Sequence, residues 1–352
     1  MVALGRKPFT YAELKAGLAI IIRAGADRDN ISLIESLFDP KDSKPFYSCA
    51  MSKNRIRLLL RHITLDNKAD RRERQVDDKL AAVREIWSLF QLNLRQCYTP
   101  SKDLTVDEQL YGYKGYVPGR CYMPLKPAKY GVKIFWLCDA LNGYALESYL
   151  YSGRQETRAV GLAKNVVLHL TERFSGTGRN IYMDRYFSSH ELFVLLLERN
   201  LTATGTIQSN RRDVPFILKT ARGRERFSSK FLWDHNNRVV MTSYVPRRGK
   251  NVLLMSSSHT SEEISSREDK KPVIIMDYNL GKGGVDVMDS RIEDYSCKRK
   301  TSRYPLIFLF NMLDIALLNS FLLMEMTGYS KDRRSFIKAV ADQLAKENTR
   351  GD

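Results

Sequence analysis

The sequence predicts a mixed α and β protein in which helical segments flank a mixed-sheet core that carries a mostly β insertion. Three observations support this fold class. Hydrophobic residues make up 43% of the 352 residues, enough to bury a sizeable core. Apolar residues recur at helical spacing near both ends, whereas strand-like segments lie between them. A strongly basic stretch, residues 211–250, interrupts the middle of the chain.

Three segments of the first hundred residues have apolar side chains at helical spacing. Residues 11–22 are apolar around much of the circumference, as in a buried helix. Residues 52–63 and 79–97 each have one apolar stripe. The run 68–78 is charged, and we interpret it as a connection between helices.

After Pro100 the pattern changes to strands and helices in the order β-β-β-α-β-α-β. Asn142-Gly143 predicts a hairpin turn, because this pair readily accepts a positive φ. Ser189 can cap a helix that ends near Asn200. Three meandering strands followed by alternating helices and strands are the order of a ribonuclease H-like domain. The predicted strands are residues 104–107, 133–138, 144–151, 180–184 and 201–207, and the first of the two helices is residues 157–170.

Residues 208–271 interrupt this order and predict an inserted, mostly β module. Its strand-like pieces are residues 227–233, 239–245 and 252–256. Apolar character resumes at Val273, and residues 279–284 lead into a helix that starts near Val285. The glycines around Lys282 could bind phosphate, but we favour a flexible entry to the helix.

The apolar run of residues 305–324 is long enough to span a membrane. It contains Asn311, Asp314 and Asn319, and one Asp near mid-bilayer costs about 2.5–3.5 kcal/mol. We therefore interpret the run as a buried helix and expect no membrane partner.

The formal net charge of +17 indicates attraction to a polyanion, most often nucleic acid, although solubility alone can also require it. The distribution of charge favours nucleic acid. Residues 211–250 hold eleven Lys and Arg against three Asp and Glu. Lys298-Arg299-Lys300, with Arg303, forms a second cluster without an acid.

Cysteine and histidine patterns give little support to zinc or acyl-transfer chemistry. The five cysteines form no CxxC pair, and an odd number of them indicates a reducing compartment rather than a disulfide scaffold. The five histidines have no paired ligand spacing, and neither a GxSxG motif nor a Walker-type glycine loop is present in the sequence.

Four aspartates stand in positions that could form one acidic site. Asp107 ends the first predicted strand and Asp184 ends the fourth, so adjacent strands would bring both side chains together. Asp286 and Asp289 lie three residues apart on one helical face. Three or four hard carboxylates can hold two Mg²⁺ ions roughly 3.5–4 Å apart, which stabilise the attacking and leaving oxygens at a phosphodiester. Taken singly, each aspartate is more often a helix cap or a surface charge.

Longer segments of the chain closely resemble the motifs of the piggyBac transposase family. The resemblance extends along nearly the whole chain, from Met51 to the helix after Pro305. The long motifs are TVDEQL at 105–110, YMPLKPAKYGVK at 122–133 and KGGVDVMD at 282–289. Shorter matches are Asn142-Gly143-Tyr144, Tyr151-Ser152-Gly153, Gly205-Thr206, Asn210-Arg211 and Arg299-Lys300-Thr301.

The resemblance implies a metal-dependent, cut-and-paste DNA transposase with a ribonuclease H-like catalytic core. The three metal-binding aspartates would be Asp107, Asp184 and Asp286, with Asp289 as a fourth required acid, and the cofactor would be two Mg²⁺ ions or Mn²⁺. A metal-activated water would nick one strand at the element end. The freed 3′-hydroxyl would form a hairpin, which is opened before joining to a TTAA target. The implied partners are double-stranded DNA and a second copy of the chain, and the implied location is the nucleus.

The resemblance also implies a division of the chain. The catalytic core would combine residues 103–210 with 272–295, and the insertion module would be residues 211–271. Residues 1–102 and 296–352 would together form a helical dimerisation and DNA-binding region. The expected DNA-binding residues are Lys298, Arg299, Lys300, Arg303, Tyr304, Arg211 and Arg212.

Departures from the family pattern leave alternatives open. Arg185 follows the second aspartate where the family usually has Asn, and the next pair is Ser188-Ser189 rather than Thr-Ser. Tyr304 stands where the family often has Trp. The family's cysteine-rich zinc module and its disordered leader are missing, so we expect a fragment or a decayed copy. The alternatives to an active transposase are a domesticated, catalytically weak or inactive DNA-binding or chromatin protein, and a nuclease without strand joining.

Overall fold

The computed structural model describes residues 7–41, 44–153 and 161–348, and nine strands in these ranges form one mixed sheet. The strands are β1 (Asp103–Gly112), β2 (Cys121–Tyr122), β3 (Tyr130–Asp139), β4 (Ala145–Leu150), β5 (Asn180–Met183), β6 (Thr202–Thr206), β7 (Ser229–Trp233), β8 (Val240–Arg247) and β9 (Lys250–Ser256). Their order across the sheet is β2-β3-β1-β5-β6-β9-β8-β7, and β4 also pairs with β3.

Twelve α-helices lie in the described ranges. They are α1 (Tyr11–Ala26), α2 (Pro45–Ala50), α3 (Lys53–His62), α4 (Arg71–Asp77), α5 (Ala81–Cys97), α6 (Leu162–Thr171), α7 (His190–Glu198), α8 (Phe216–Lys219), α9 (Val273–Gly281), α10 (Gly284–Glu293), α11 (Tyr304–Met326) and α12 (Arg333–Ala345).

The predicted mixed sheet is confirmed. β3 pairs antiparallel with both β1 and β4, while β5 runs parallel to β1 and to β6. The hairpin turn between β3 and β4 has Gly143 at a φ of +77°, as its sequence predicted. β1 continues to Gly112, well past the predicted end at Asp107, because its pairing with β3 continues until Gly112 lies opposite Gly131, although the charged Glu108 interrupts the alternation of apolar and polar residues.

The strands predicted in the basic insertion extend the same sheet. β9 pairs antiparallel with β6, with Thr204 opposite Ser256, and β8 and β7 follow β9 outward. The strands of the insertion therefore share a hydrogen-bonded sheet with the core strands. The domain boundaries at residues 211 and 271 stay a prediction.

Helices from the two ends of the chain pack against each other. α1 lies along α12, where Arg334 Nε donates to the carbonyl of Ala26 at 2.9 Å and Lys338 Nζ lies 2.9 Å from Asp27 Oδ1. The first part of the chain thereby forms one helical assembly with the last.

α11 is the one helix of the described ranges that is long and apolar enough to cross a membrane, but 72% of its most apolar window is buried inside the protein. Its polar residues have partners. Asn319 Oδ1 accepts from the amide of Ala145 at 3.0 Å, and Asp314 accepts the hydroxyl of Tyr111 at 2.8 Å. These contacts agree with the interpretation of a buried helix.

Some elements differ from the sequence prediction. The charged run 68–78 contains α4, which Asp66 stabilises by accepting from Arg71 and Arg74, so the expectation of a plain connection was wrong. Residues 279–281 still belong to α9 rather than to a lead-in. The helix predicted over 157–170 appears as α6, which follows Gly161 at φ +90°, while residues 157–160 of that prediction lie outside the described ranges.

Candidate active site

Asp107 and Asp184 lie side by side on adjacent parallel strands. The register pairs Thr105 with Tyr182 and Val106 with Met183. The next residue of each segment is an aspartate, so Asp107 lies opposite Asp184, which is one residue beyond β5. Adjacent strands are about 4.8 Å apart, and residues paired in register point to the same face. The predicted proximity of these two acids therefore agrees with the register.

α10 covers the face of the sheet from which Asp107 projects. Thr105, on the same face, donates through Oγ1 to the carbonyl of Gly281 at 2.6 Å. A Cβ on Gly284 would lie 2.9 Å from Thr105 Oγ1 and 3.0 Å from the carbonyl oxygen of Asp139, so only glycine allows α10 to begin this close to the sheet. Asp286 follows in the first turn of α10.

Asp289 is held by Gln109, which is fully buried two residues after Asp107. Gln109 Oε1 accepts from the indole Nε1 of Trp136 at 2.9 Å and from Asn311 Nδ2 at 3.1 Å. Because an indole nitrogen can only donate, the oxygen of the Gln109 amide must face Trp136. Its Nε2 therefore points to Asp289 and donates to Oδ1 at 2.7 Å.

Burial and neighbouring negative charges raise the pKa of Asp107. Burial raises the pKa of Asp107 to about 7, and the negative charges of Glu108, Asp184 and Asp286 add to this effect while a hydrogen bond from the Glu108 amide opposes it. Burial also raises the pKa of Asp289, and the Gln109 amide offsets part of that rise. Asp286 thus lies close enough to Asp107 for its charge to be felt there.

Burial likewise raises the pKa of Asp184, and the charges of Arg185 and Lys133 offset only part of the rise. Arg185 is exposed, and it acts on Asp184 through its charge. Ser188 and Ser189 stabilise the segment between Asp184 and α7. Ser188 Oγ donates to the carbonyl of Asp184 at 3.0 Å, and Ser189 Oγ caps α7 by accepting from the Leu192 amide.

The carboxylates lie near one another, but their side chains are not arranged around a common metal position. Within residues 7–41, 44–153 and 161–348, no group of three or more His, Cys, Asp or Glu side chains is arranged to hold a metal ion. The chemistry of the donors nevertheless suits a hard divalent cation, since all are carboxylates. Among the described residues, the ion pairs within 4.0 Å lie elsewhere, as at Glu13, Asp27 and Glu147, and none of them involves these acids.

Two of the predicted DNA-binding arginines bond to main-chain carbonyls instead of facing solvent. Arg299, 6% exposed, donates to the carbonyls of Asp29 at 3.1 Å and Ser32 at 2.5 Å. Arg303 donates to the carbonyls that end α3, including that of Leu60 at 2.6 Å. These guanidinium groups tie residues 299–303 to the first helices, so contact with phosphate would have to come chiefly from other side chains.

The remaining predicted DNA-binding residues vary in exposure. Lys300 and Arg212 are exposed, whereas Lys298 is half-buried. Arg211 donates through Nη2 to the carbonyl of Tyr186 at 3.1 Å. The Tyr304 ring packs edge-on against Phe308 with centroids 6.4 Å apart. DNA binding by these residues stays a prediction.

Gln109 is the residue near this site that sequence reasoning did not single out. A signal was present, because Thr105, Asp107 and Gln109 alternate as polar residues along one face of an otherwise apolar strand. Glu108, the residue after Asp107, belongs to the same acidic group, and burial raises its pKa too.

Comparison with known proteins gives consistent matches. The family model described as Transposase IS4 matches residues 4–321. PiggyBac transposable element-derived protein 2 of Homo sapiens is 22% identical over 332 residues, covering 88% of this chain and 55% of the human protein. PiggyBac transposable element-derived protein 3 of Homo sapiens is 24% identical over 285 residues, covering 76% of this chain and 47% of that protein. The chain thus spans about half the length of these curated relatives.

Among solved structures, a cryo-EM structure of the piggyBac transposase synaptic complex with hairpin DNA matches with a TM-score of 0.91 and 35% identity. The match covers 97% of this chain and 73% of the solved chain.

Proposed function

Because the chain belongs to the piggyBac transposase family, within the IS4-type DDE transposases, we propose that it cuts DNA strands and transfers them by metal-dependent chemistry. The observation that carries this proposal is that Asp107 in the middle of β1, Asp184 directly after the adjacent β5 and Asp286 in the first turn of α10 come close together. The fold we propose for residues 103–210 and 272–295 is ribonuclease H-like, with the strand order β4-β3-β1-β5-β6 as its support.

In this proposal Asp107, Asp184 and Asp286 would hold the divalent cations, Mg²⁺ or Mn²⁺. When bound, the cations would activate water and stabilise charge on the attacking and leaving oxygens of a phosphodiester. The role of the protein's own residues is to keep the acids together. Gln109 orients Asp289 beside them through its amide Nε2.

We propose double-stranded DNA as the substrate, cut at element ends and joined at TTAA sites through a hairpin intermediate. The net charge of +17 and the exposed Lys300 and Arg212 support a polyanionic partner. The matched solved structure is a complex with hairpin DNA. Action as a homodimer in the nucleus, with residues 1–102 and 296–352 forming the dimerisation and DNA-binding region and 211–271 the insertion module, is part of the same proposal.

The test is cleavage of TTAA-flanked DNA in Mg²⁺, with nicked and hairpin products separated on a denaturing gel. Asp107→Asn and Asp286→Asn should each reduce cleavage by more than about 100-fold, since even outer partners of metal ligands are worth 10–100-fold. Both variants should retain DNA in a binding assay with EDTA. Asp103→Asn is the matched control, because Asp103 begins the same strand outside the acidic group, and it should cut like the unmodified chain.

Normal cleavage by either site variant would overturn the assignment of the acids. DNA binding without any cleavage by the unmodified chain would support the second candidate, a domesticated DNA-binding protein derived from a transposase. The observation that favours this second candidate is the exposed Arg185, whose positive charge acts on Asp184, one of the proposed metal ligands.

A further inference from the structure

The row of side chains that contains Asp107 and Asp184 continues onto a third strand. β5 runs parallel to β6, with Met183 opposite Gly205. The next residue of each segment is Asp184 and Thr206, so Asp107, Asp184 and Thr206 lie side by side on one face of the sheet. The third position of this row is therefore a hydroxyl group instead of a carboxylate.

α9 covers the same face and places the phenol of Tyr278 against this row. The helix packs on β1, β6 and β9, and its last residue, Gly281, accepts the hydroxyl of Thr105. The hydroxyl oxygen of Tyr278 lies 3.3 Å from Thr206 Oγ1, and the side chain is 7% exposed. Tyr278 thus ends beside the acidic group.

The phenol of Tyr278 keeps its proton in these surroundings. Burial raises the pKa of Tyr278, and the hydrogen bond with Thr206 opposes this rise. The charges of Asp184, Asp107 and Asp286 raise it further. A protonated phenol among acids is a neutral group that can donate a hydrogen bond.

This hydroxyl has bonding capacity left over. Its contact with Thr206 is longer than the distance of about 2.7–2.8 Å that is usual between hydroxyl oxygens. Among the described residues, no other group shares a hydrogen bond with it. Either hydroxyl can donate in this contact, and when Thr206 donates, the proton of Tyr278 is free for another acceptor.

The acids need such a donor beside them if they act on a phosphodiester. Ionised carboxylates only accept hydrogen bonds, so they give the negatively charged oxygens of a phosphate no donor. Negative charge grows on the non-bridging oxygens when the phosphorus is attacked, and a donor already in place stabilises that charge.

We propose that Tyr278 is a further catalytic residue, whose hydroxyl donates a hydrogen bond to a non-bridging oxygen of the reacting phosphodiester. Thr206 is the positioning residue that orients this hydroxyl. The inference rests on the proposed function, because it assumes that the acids beside Tyr278 act on DNA.

The test compares Tyr278→Phe with the unmodified full chain in cleavage of TTAA-flanked DNA in Mg²⁺. The variant keeps the ring and should lower kcat by about 100-fold, the loss typical of one donor to a developing negative charge. KM and DNA binding in EDTA should change little, because the contact strengthens only in the transition state.

Tyr244→Phe is the matched control. Tyr244 belongs to the same apolar cluster as Tyr278, and its hydroxyl donates to the carbonyl of Asp269 at 2.6 Å. This variant also removes a buried hydroxyl, but it should cut like the unmodified chain. Urea titrations of both variants show whether stability contributes to any loss of cleavage.

Two further comparisons test the contact itself. Thr206→Val should lower kcat and Thr206→Ser should restore it, because serine keeps the hydroxyl that orients Tyr278. In DNA with one phosphorothioate at the reacting phosphate, sulfur replaces either non-bridging oxygen and is a weak acceptor. Tyr278→Phe should cost less than about tenfold on one diastereomer and about 100-fold on the other, since only one sulfur replaces the contacted oxygen.

The outcomes separate this inference from the proposed function. Normal cleavage by Tyr278→Phe, an equal loss with Tyr244→Phe, or equal losses on the two diastereomers would overturn the role of Tyr278 and leave the proposed function in place. If the unmodified chain cuts no DNA, the proposed function and this inference are both wrong.

Discussion

Asp314 is a carboxylate in the middle of an apolar helix, and its partners explain why the fold tolerates it. The side chain is 2% exposed. It accepts from the amide of Cys297 at 2.6 Å and from the hydroxyls of Ser296 and Tyr111, each at 2.8 Å. Burial raises the pKa of Asp314 to about 6, although these hydrogen bonds lower it. The folded protein thus holds a proton there that the unfolded chain releases at lower pH.

The sign of the resulting pH dependence follows from this shift. Below the ordinary pKa of about 3.9, Asp314 is protonated in both states, and as the pH rises towards 6 only the unfolded chain gains by ionising. Its contribution to stability is therefore fully present below pH 4 and is lost as the pH rises through 6. Asp314→Asn should remove this loss, because the hydroxyls of Ser296 and Tyr111 can turn to accept from the new amide.

The free energy of unfolding, measured by urea titration at pH 4.5 and at pH 7.5, checks this prediction. Relative to the unmodified chain, Asp314→Asn should gain about 2 kcal/mol between the two pH values, at about 1.4 kcal/mol per tenfold change in proton affinity. Asp294→Asn, at an exposed aspartate that follows α10, serves as the control. A constant difference across this range would show that Asp314 does not keep its proton in the folded protein.

At the scale of elements, α11 is tied to the sheet by the polar residues that interrupt its apolar sequence. Asn311 donates to Gln109 in β1. Asn319 both accepts from the amide of Ala145 at 3.0 Å and donates to its carbonyl at 2.9 Å, which satisfies both main-chain groups at the start of β4. One buried side chain thus continues the hydrogen bonding of the sheet into the helix.

Replacing Asn319 by an apolar residue should destabilise the fold. Asn319→Leu would leave the amide and the carbonyl of Ala145 buried without partners, and each such group costs about 1–3 kcal/mol. We expect the free energy of unfolding to fall by about 2–4 kcal/mol in a denaturant titration.

Asn93→Leu provides the comparison for this prediction, because Asn93 is exposed on α5 and bonds only to the carbonyl of Leu89 in its own helix. That substitution should change the stability by less than about 0.5 kcal/mol. Similar effects of the two substitutions would mean that the contact between Asn319 and β4 does not stabilise the sheet.

Elements were predictable where one pattern controlled them. The strands β3 to β6 and the helix capped by Ser189 follow from period and turn residues, so their positions agree with the sequence. The end of β1 was not predictable, since Glu108 breaks the alternation of apolar and polar residues, and Asn311, a partner of the buried Gln109, lies far away in the chain. α4 was missed because its charged residues are stabilised by Asp66, which precedes the helix.

The same distinction applies to the candidate site. The proximity of Asp107 and Asp184 could be predicted from strand order, since neighbouring parallel strands bring their ends together. The roles of Arg299 and Arg303 could not, because a basic run in the sequence does not reveal the carbonyls that receive its side chains. Charge alone therefore predicted a phosphate surface where the fold uses two of the cations for internal bonds.

At the scale of the whole molecule, Asp27 joins both ends of the chain. It caps α1, and its side chain is 1% exposed. Lys338 of α12 lies 2.9 Å away, and Arg23 and Lys44 lie 3.2 and 3.3 Å away. Burial raises the pKa of Asp27, but the attraction of these cations outweighs burial and the pKa lies below its ordinary value. Removing this charge would leave several cations facing one another between α1 and α12.

The shift at Asp27 has the opposite sign to that at Asp314, so it predicts the opposite pH dependence. The contribution of Asp27 to the free energy of unfolding is present above the ordinary pKa near 3.9. It is lost as the pH falls through the lower pKa that Asp27 has in the folded protein. Asp27→Asn should therefore lower the free energy of unfolding at pH 7 by about 3 kcal/mol, at the low end for breaking a buried ion pair because Lys44 is 44% exposed. The deficit should shrink as the pH falls below 4.

Asp342→Asn is the matched control, since Asp342 also pairs with Arg23 but is 60% exposed, and it should cost less than about 1 kcal/mol. Urea titrations of the three proteins across this pH range would contradict the role of Asp27 if the two variants lost the same stability at pH 7.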